Sequence, residues 1–173
     1  MFVDNNLILS GAIAAIVGAP GGPGQVTSTI AGQAVTGASA VPSTSCLDLT
    51  QARDIGEGAD LYARFQITTT FAGLTALDMQ ICSSDDAAQS VNVTVHNSLQ
   101  AVPVASLTAG ARFVLQLSPY ISPQLAGGNS RSQRYWWFRY NPTGTGTAGA
   151  VFADIGIEVQ DGMDFYPSGF GII

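Results

Sequence analysis

The sequence contains no lysine, a single histidine and only two cysteines among its 173 residues. Its charged fraction is 10%, well below the roughly 25% of an average protein. Six arginines stand against 12 acidic residues, which gives a formal net charge of −6. A chain so poor in cations lacks the basic surface that binds phosphate backbones or anionic lipids. We therefore expect neither nucleic acid nor membrane as a partner.

Long apolar runs and cysteine motifs are also missing. Cys46 and Cys82 are too few for a disulfide framework and lack the spacing of a structural zinc site, so we expect two reduced thiols. The longest apolar run, residues 7–19, is interrupted by Ser10 and two glycines and is too short to span a bilayer. The residues before it carry no positive charge, whereas a secretory signal begins with a basic segment. The sequence thus predicts neither a transmembrane helix nor a cleaved signal.

Glycine and proline are abundant, with 20 and 8 residues, which favours many short elements over long helices. Apolar and polar side chains alternate at residues 61–68, 77–81, 91–96, 112–117 and 151–160, the pattern of strands with one buried face. Turn sequences such as Asn141-Pro142-Thr143-Gly144 separate them. The pattern predicts an all-β fold, a jelly-roll-like antiparallel β-sandwich. Its expected core face contains Phe65, Ile67, Val93, Phe113, Leu115, Trp136, Phe138 and Ile155.

Composition divides the chain into three zones. Residues 1–45 are rich in Gly, Ala, Ser and Pro, and the Pro-Gly run at 19–24 excludes a helix or a central strand, so we interpret them as an extended arm. Small side chains bury little area, and we expect this arm to become ordered chiefly by contact with other chains. Residues 46–160 form the β-sandwich domain. Residues 161–173 form an aromatic tail that either folds over its own sheet edge or contacts another chain.

The aromatic run at 134–140 is the most informative segment for binding. Alternation places Trp136, Phe138 and Tyr140 on one face, expected in the core, and Tyr135, Trp137 and Arg139 on the other. The second set consists of the residue types that dominate interface energetics. A central strand buried on both faces is the alternative. The candidate protein-interface residues are Leu7, Ile8, Ile13 and Ile16 in the arm, Tyr135, Trp137 and Arg139 in this strand, and Phe165, Tyr166 and Phe170 in the tail.

Residues for catalysis are scarce. His96 falls at the polar end of a predicted strand, where a solvated or hydrogen-bonded side chain is the expectation. Asp85 and Asp86 follow two serines in a turn, a position where such residues usually cap backbone amides. We expect no catalytic residues, no metal and no cofactor. A small hydrolase that uses the acidic turns is the enzyme alternative, and the shortage of histidine, lysine and paired carboxylates disfavours it.

Several short segments resemble those of one known family. The segments are Asp48-Leu49, Ala52-Arg53-Asp54-Ile55-Gly56, Ser83-Ser84-Asp85-Asp86, Leu107-Thr108-Ala109-Gly110, Arg134-Tyr135 with Arg139-Tyr140, and Ala148-Gly149. In order and spacing they resemble the capsid cement, or decoration, proteins of tailed bacteriophages, and the resemblance covers roughly residues 33–162. Residues 12–32 depart from the family pattern like an insertion, and the tail after Gly162 departs from it like an extension.

The resemblance implies a jelly-roll-like protein on the outer surface of the virion capsid, made in the host cytoplasm. Its implied partners are neighbouring subunits of the major capsid protein and further copies of itself, as a dimer or trimer at a symmetry axis. It implies no active site. The alternative from the binding class is a carbohydrate-binding β-sandwich of a phage fibre or surface module, which would need Tyr135 and Trp137 to face solvent.

Overall fold

The computed structural model describes residues 7–13, 30–50, 61–117 and 133–156. These residues are all-β, apart from 3-10 geometry at Leu7 and a short 3-10 helix at Val104–Ser106. No helix in these ranges is long and apolar enough to cross a membrane. The ten strands are β1 (Ile8–Ser10), β2 (Ala12–Ile13), β3 (Ile30–Ala31), β4 (Gln33–Ala34), β5 (Val41–Pro42), β6 (Leu47–Asp48), β7 (Leu61–Ser84), β8 (Thr94–Pro103), β9 (Arg112–Leu117) and β10 (Tyr135–Gly156).

Two long strands organise the fold. β7 has 24 residues and β10 has 22, and they pair antiparallel from Tyr135 opposite Ser84 to Gly156 opposite Tyr62. The turn predicted at 141–144 is therefore wrong, because Pro142 and Gly144 lie within β10. The pairing register shifts repeatedly between residues 143 and 151. Since bulges bend a strand and increase its twist, the Pro-Gly signal marks a bend and not a chain reversal.

Shorter strands extend this β7–β10 ribbon at both ends. At one end β9 pairs with the first residues of β7, while β1 and β4 pair with the last residues of β10. At the other end β8 pairs with the second half of β7, and β5 and β6 pair with the first half of β10. All of these pairings are antiparallel, and together they form one eight-stranded sheet. β2 and β3 form a separate two-stranded sheet.

The large sheet curls so that its two ends share one core. Phe65 lies at one end of the ribbon and Phe138 at the other, yet their ring centroids are 4.9 Å apart, and Tyr140 meets Phe65 edge-on at 6.3 Å. The predicted core face is confirmed for Phe65, Ile67, Leu115, Trp136, Phe138 and Ile155, which are buried in one cluster, and Phe113 packs against that cluster. Val93 is only half-buried and does not belong to it.

The described parts of the predicted arm lie on the chain's own sheet. Ile8 is buried in the chain's own fold, so its side chain is not free to fill a groove between subunits as predicted, and the half-buried Leu7 packs against the core. The physical reason for the position of Ile8 is that β1, like β4, pairs its backbone with β10 of the same chain. Ile13 lies in β2, where its backbone pairs with Ile30.

Hydrogen bonds fasten this arm further. The Tyr140 hydroxyl donates to Ser10 Oγ at 2.6 Å, and both residues are fully buried. The backbone amide of Ser45 donates to Leu9 O at 2.9 Å. These contacts make residues 8–10 and 45 part of the same packed body as β10. The remaining interface candidates, Ile16 in the arm and Phe165, Tyr166 and Phe170 in the tail, lie outside the described residues.

Candidate functional site

The strand face on which the sequence placed Tyr135, Trp137 and Arg139 continues across three paired strands, β10, β7 and β8. We call the side of these strands that lies opposite the core the outer face. Trp136, Phe138 and Tyr140 are buried on the core side, which confirms the predicted register. Across the outer face, Trp137 pairs with Cys82 and Cys82 pairs with Val95, so these three residues form one cross-strand row.

Trp137 is not the exposed anchor that the sequence predicted. Its exposure is only 2%, and its indole Nε1 donates to Ser84 Oγ at 3.2 Å. The Ser84 hydroxyl in turn donates to Asp86 O at 2.8 Å, which links the indole to the turn after β7. Because this strand buries large aromatic residues on both faces, the alternative of a two-sided buried strand describes it correctly. A sugar-stacking surface that needs Trp137 in solvent is not formed by these residues.

Tyr135 and Arg139 remain partly exposed on either side of Trp137. The Arg134 guanidinium carbon lies 4.9 Å from the Tyr135 ring centroid, within cation–π range. Arg134 Nε and Nη2 also donate to the two carboxylate oxygens of Asp48, at 2.6 and 2.7 Å, and this hydrogen bonding lowers the pKa of Asp48. Arg139 Nε donates to Gln80 Oε1 at 2.7 Å. Around Tyr135 and Arg139 the accessible part of the outer face is therefore polar and held in place by its own contacts.

The turn that follows β7 is built on Asp86. Its carboxylate accepts hydrogen bonds from the amides of Val91 and Ser90, at 2.8 and 2.9 Å, and from the Ser90 hydroxyl at 2.7 Å. These hydrogen bonds, led by that of Val91, lower the pKa of Asp86. The neighbouring Asp85 accepts from Asn92 Nδ2 at 2.7 Å. The predicted capping of backbone amides is confirmed for Asp86.

His96 is half-buried on the core side and hydrogen-bonded, which is one of the two environments that the sequence predicted. Its ring stacks on Trp136 at 4.4 Å between centroids, with 13° between planes. A register shift between Ile81 and Cys82 places His96 as the extra residue of a bulge, which turns its side chain inward. The same shift leaves Val95 exposed on the other side. The sequence pattern alone shows regular alternation here and gives no signal of the bulge.

A serine and this histidine are hydrogen-bonded, with Ser83 Oγ 2.6 Å from His96 Nε2. Ser83 donates its own proton to Gln133 Oε1, so the histidine must be the donor in the Ser83–His96 hydrogen bond. Ser83 is also fully buried. Burial lowers the pKa of His96 to about 4, which keeps the ring neutral near pH 7. This arrangement stabilises the β7–β8 pairing and differs from a nucleophile activated by a base.

The two cysteines are free thiols in the structure. Burial raises the pKa of the Cys82 thiol to about 11 and also raises the pKa of Cys46. Across the described ranges, no three residues among His, Cys, Asp and Glu are grouped closely enough to hold a metal ion.

Sequence comparison places most of the chain in a protein family. No curated protein matches this chain. The Bbp16 family matches it over residues 29–155, which include β7, all but the last residue of β10, and the strands β3–β6, β8 and β9. This range is about three quarters of the chain, and the segments that it leaves out are the first part of the arm and the tail. The chain therefore belongs to the Bbp16 family.

Proposed function

We propose that this protein is a structural virion protein that binds the outside of an assembled phage capsid and cements neighbouring major capsid subunits. The proposal starts from the resemblance of the short segments to capsid cement proteins. Two of those segments lie at structurally important positions. Ser83-Ser84-Asp85-Asp86 ends β7 and forms the turn that follows it, and Arg139-Tyr140 lies in the first half of β10. Such a role requires a rigid body and binding surfaces, and it requires no reaction.

The main observation that supports the proposal is which groups the carboxylates bind. The described residues contain five acidic side chains, and each accepts a hydrogen bond from this chain itself. Asp86 and Asp85 build a turn, Asp48 holds Arg134, and Asp154 holds Arg64. Asp78 accepts from the amide of Ala101 at 2.7 Å. Polar groups that a hydrolase would direct at a substrate are here directed at the protein's own backbone and arginines, which supports a structural role.

We also propose that the curled sheet is a jelly-roll-like sandwich whose two layers are the two ends of the β7–β10 ribbon. The contact between Phe65 and Phe138 supports this arrangement, because it brings residues from opposite ends of the ribbon into one core. A closed, two-layer body of this kind offers several edges and faces. A protein that bridges subunits gains avidity from several modest contacts.

The test is co-sedimentation of the purified protein with capsids of the phage that encodes it. We expect the protein to pellet with assembled, expanded capsids and to stay in solution with unassembled major capsid subunits, because a site shared between subunits exists only on the assembled lattice. Equal binding to free subunits, or no binding to capsids, would contradict the proposal. Binding to polysaccharide-coated beads instead would favour the carbohydrate alternative.

Variants of the outer face sharpen this experiment. Tyr135→Ala and Arg139→Ala change partly exposed side chains, whereas Trp137→Ala would damage the interior and is unsuitable. Gln116→Ala is a matched control on an exposed side chain of β9, at the opposite end of the ribbon. If the outer face contacts the capsid, Tyr135→Ala and Arg139→Ala weaken co-sedimentation and Gln116→Ala does not.

A further inference from the structure

The turn that follows β7 folds back over the outer face. It leaves β7 at Ser84, and its Gln89 Nε2 donates to Ser43 O at 3.3 Å. Ser43 directly follows β5, which pairs with β10 on the edge away from β7. A turn that joins these two points must cross β10. Because Trp136 and Phe138 fill the core side of β10 there, the turn crosses on the outer face.

We call residues 85–91 the cover, because they account for the burial of Trp137. This side chain belongs to the outer face, yet it is almost fully buried, and its indole donates to Ser84, where the cover begins. Cys82, which pairs with Trp137 on β7, is also buried. Tryptophan is among the residue types most enriched at the centre of protein interfaces. The cover therefore conceals a side chain of the kind that anchors protein contacts.

The cover is firm within itself and lightly attached to the body below it. The Asp86 carboxylate binds the amides of Ser90 and Val91, so the cover can move as one unit. None of residues 85–91 is buried, and none belongs to the core cluster. Its contact beyond β10 is made by the flexible side chain of Gln89. Since segments with few buried apolar contacts open at a lower free energy than the whole domain, the cover is a candidate for local opening.

We propose that the cover opens as one unit, by release of Gln89 from Ser43, and that opening uncovers Trp137 for a protein partner on the outer face. The two ends of the cover stay fixed, at β7 and at Asn92, whose carbonyl accepts from Gln133 Nε2. Because the closed form does not offer Trp137, the partner's apparent affinity is reduced by the fraction of closed molecules, and a weaker attachment of the cover strengthens binding. The inference rests on the proposed function, in which the partner is a major capsid subunit, and it adds a closed state that hides the tryptophan until that partner binds.

Thiol labelling of the full chain tests the opening without any capsid. An uncharged maleimide should reach Cys82 through an opening that costs less than global unfolding and depends only weakly on urea, because little surface is exposed. Gln89→Ala should speed this reaction roughly 2- to 10-fold, as expected for the loss of one hydrogen bond. The matched control Gln116→Ala, at an exposed position of β9, should leave the rate unchanged. Ala63→Cys places a thiol on the core side of β7 and should react only on global unfolding. Peptide mass spectrometry distinguishes these thiols from Cys46.

Co-sedimentation with capsids then tests the partner, after circular dichroism has shown that each variant is folded. We expect Gln89→Ala to bind capsids more tightly than the natural chain by a similar factor, and Gln116→Ala to bind equally well. Labelling of Cys82 only at the rate of global unfolding, or at equal rates in the natural chain and Gln89→Ala, would overturn the opening. An unchanged capsid affinity in a Gln89→Ala variant that labels faster would overturn the role of Trp137 as the uncovered anchor. A natural chain that opens but binds no capsid contradicts the cement role and leaves the opening established.

Discussion

Removing the charge of Asp154 should strongly destabilise the protein. Asp154 lies on β10 directly opposite Arg64 on β7. Arg64 Nε donates to Asp154 Oδ1 at 3.0 Å, and Nη2 donates to Oδ2, so the pair is bidentate. The two side chains are only 13% and 2% exposed. The substitution Asp154→Asn keeps the shape of the side chain and removes the charge that compensates the buried guanidinium.

The expected loss is large because a buried charge without its partner cannot recover its hydration. Breaking one side of a buried ion pair costs about 3–5 kcal/mol, and Asn retains one acceptor, so the low end of this range is expected. A typical domain has only about 5–15 kcal/mol of stability in total. Replacing both partners, as in Arg64→Met with Asp154→Leu, should restore most of the loss, because two apolar side chains of similar volume need no compensation.

Urea unfolding at neutral pH, followed by circular dichroism, measures the effect. The matched control is Asp48→Asn, since Asp48 and Arg134 form a bidentate pair of similar geometry whose side chains are about 40% exposed. The control should shift the unfolding midpoint far less, and added salt should reduce its effect further. Equal losses for Asp154→Asn and Asp48→Asn, or a double variant less stable than Asp154→Asn alone, would refute the argument from burial.

Two further substitutions test single features of β8. The folded pKa of His96, about 4, lies below its unfolded value of about 6.5. Between these two pH values the unfolded state therefore binds more protons than the folded state. As the pH falls through this window, about 1–2 kcal/mol of stability should be lost, after allowance for the partial exposure of the ring. His96→Gln should abolish that slope in urea unfolding at several pH values, and a persistent slope would contradict the assignment. Ala101 has a φ of 51°, so Ala101→Gly should raise stability by ~0.5–1 kcal/mol in thermal melts, whereas the control Ala72→Gly should lower it.

The regular parts of the fold were predictable because burial of one sheet face dictates a period of two. The strand beginning at Leu61 and the strand at Arg112–Leu117 appear where alternation placed them, and the buried set of Trp136, Phe138 and Tyr140 follows the predicted register. A shift by one residue would have exposed this entire set. The capping role of Asp86 was predictable for a similar local reason, since a short carboxylate in a turn reaches the amides a few residues ahead.

The irregular parts of the fold depend on tertiary contacts, which the alternation of apolar and polar residues in the sequence does not reveal. Pro142 and Gly144 look like a chain reversal, yet pairing with β7 carries β10 through them. At the bulge in β8, one extra residue reverses which side chains face the core, so His96 points inward and Val95 outward. Trp137 is the third case, because a run of consecutive aromatic residues fits a strand buried on both faces as well as a strand with an exposed binding face. Its indole is linked through Ser84 to the turn after β7.

The position of the arm limits how contact with a capsid can be tested. Leu9 is 1% exposed within the core cluster, and Ser10 holds the Tyr140 hydroxyl, so β1 belongs to the packed body. A deletion of residues 1–24 would remove β1 together with any capsid contact that the segment makes. It would leave β10 with unpaired backbone groups and Tyr140 with a buried hydroxyl lacking a partner, both of which cost stability. Loss of capsid binding in such a deletion would therefore report unfolding as readily as a lost contact. Only substitutions of side chains that remain accessible, such as Tyr135 and Arg139 on the outer face, separate the two effects.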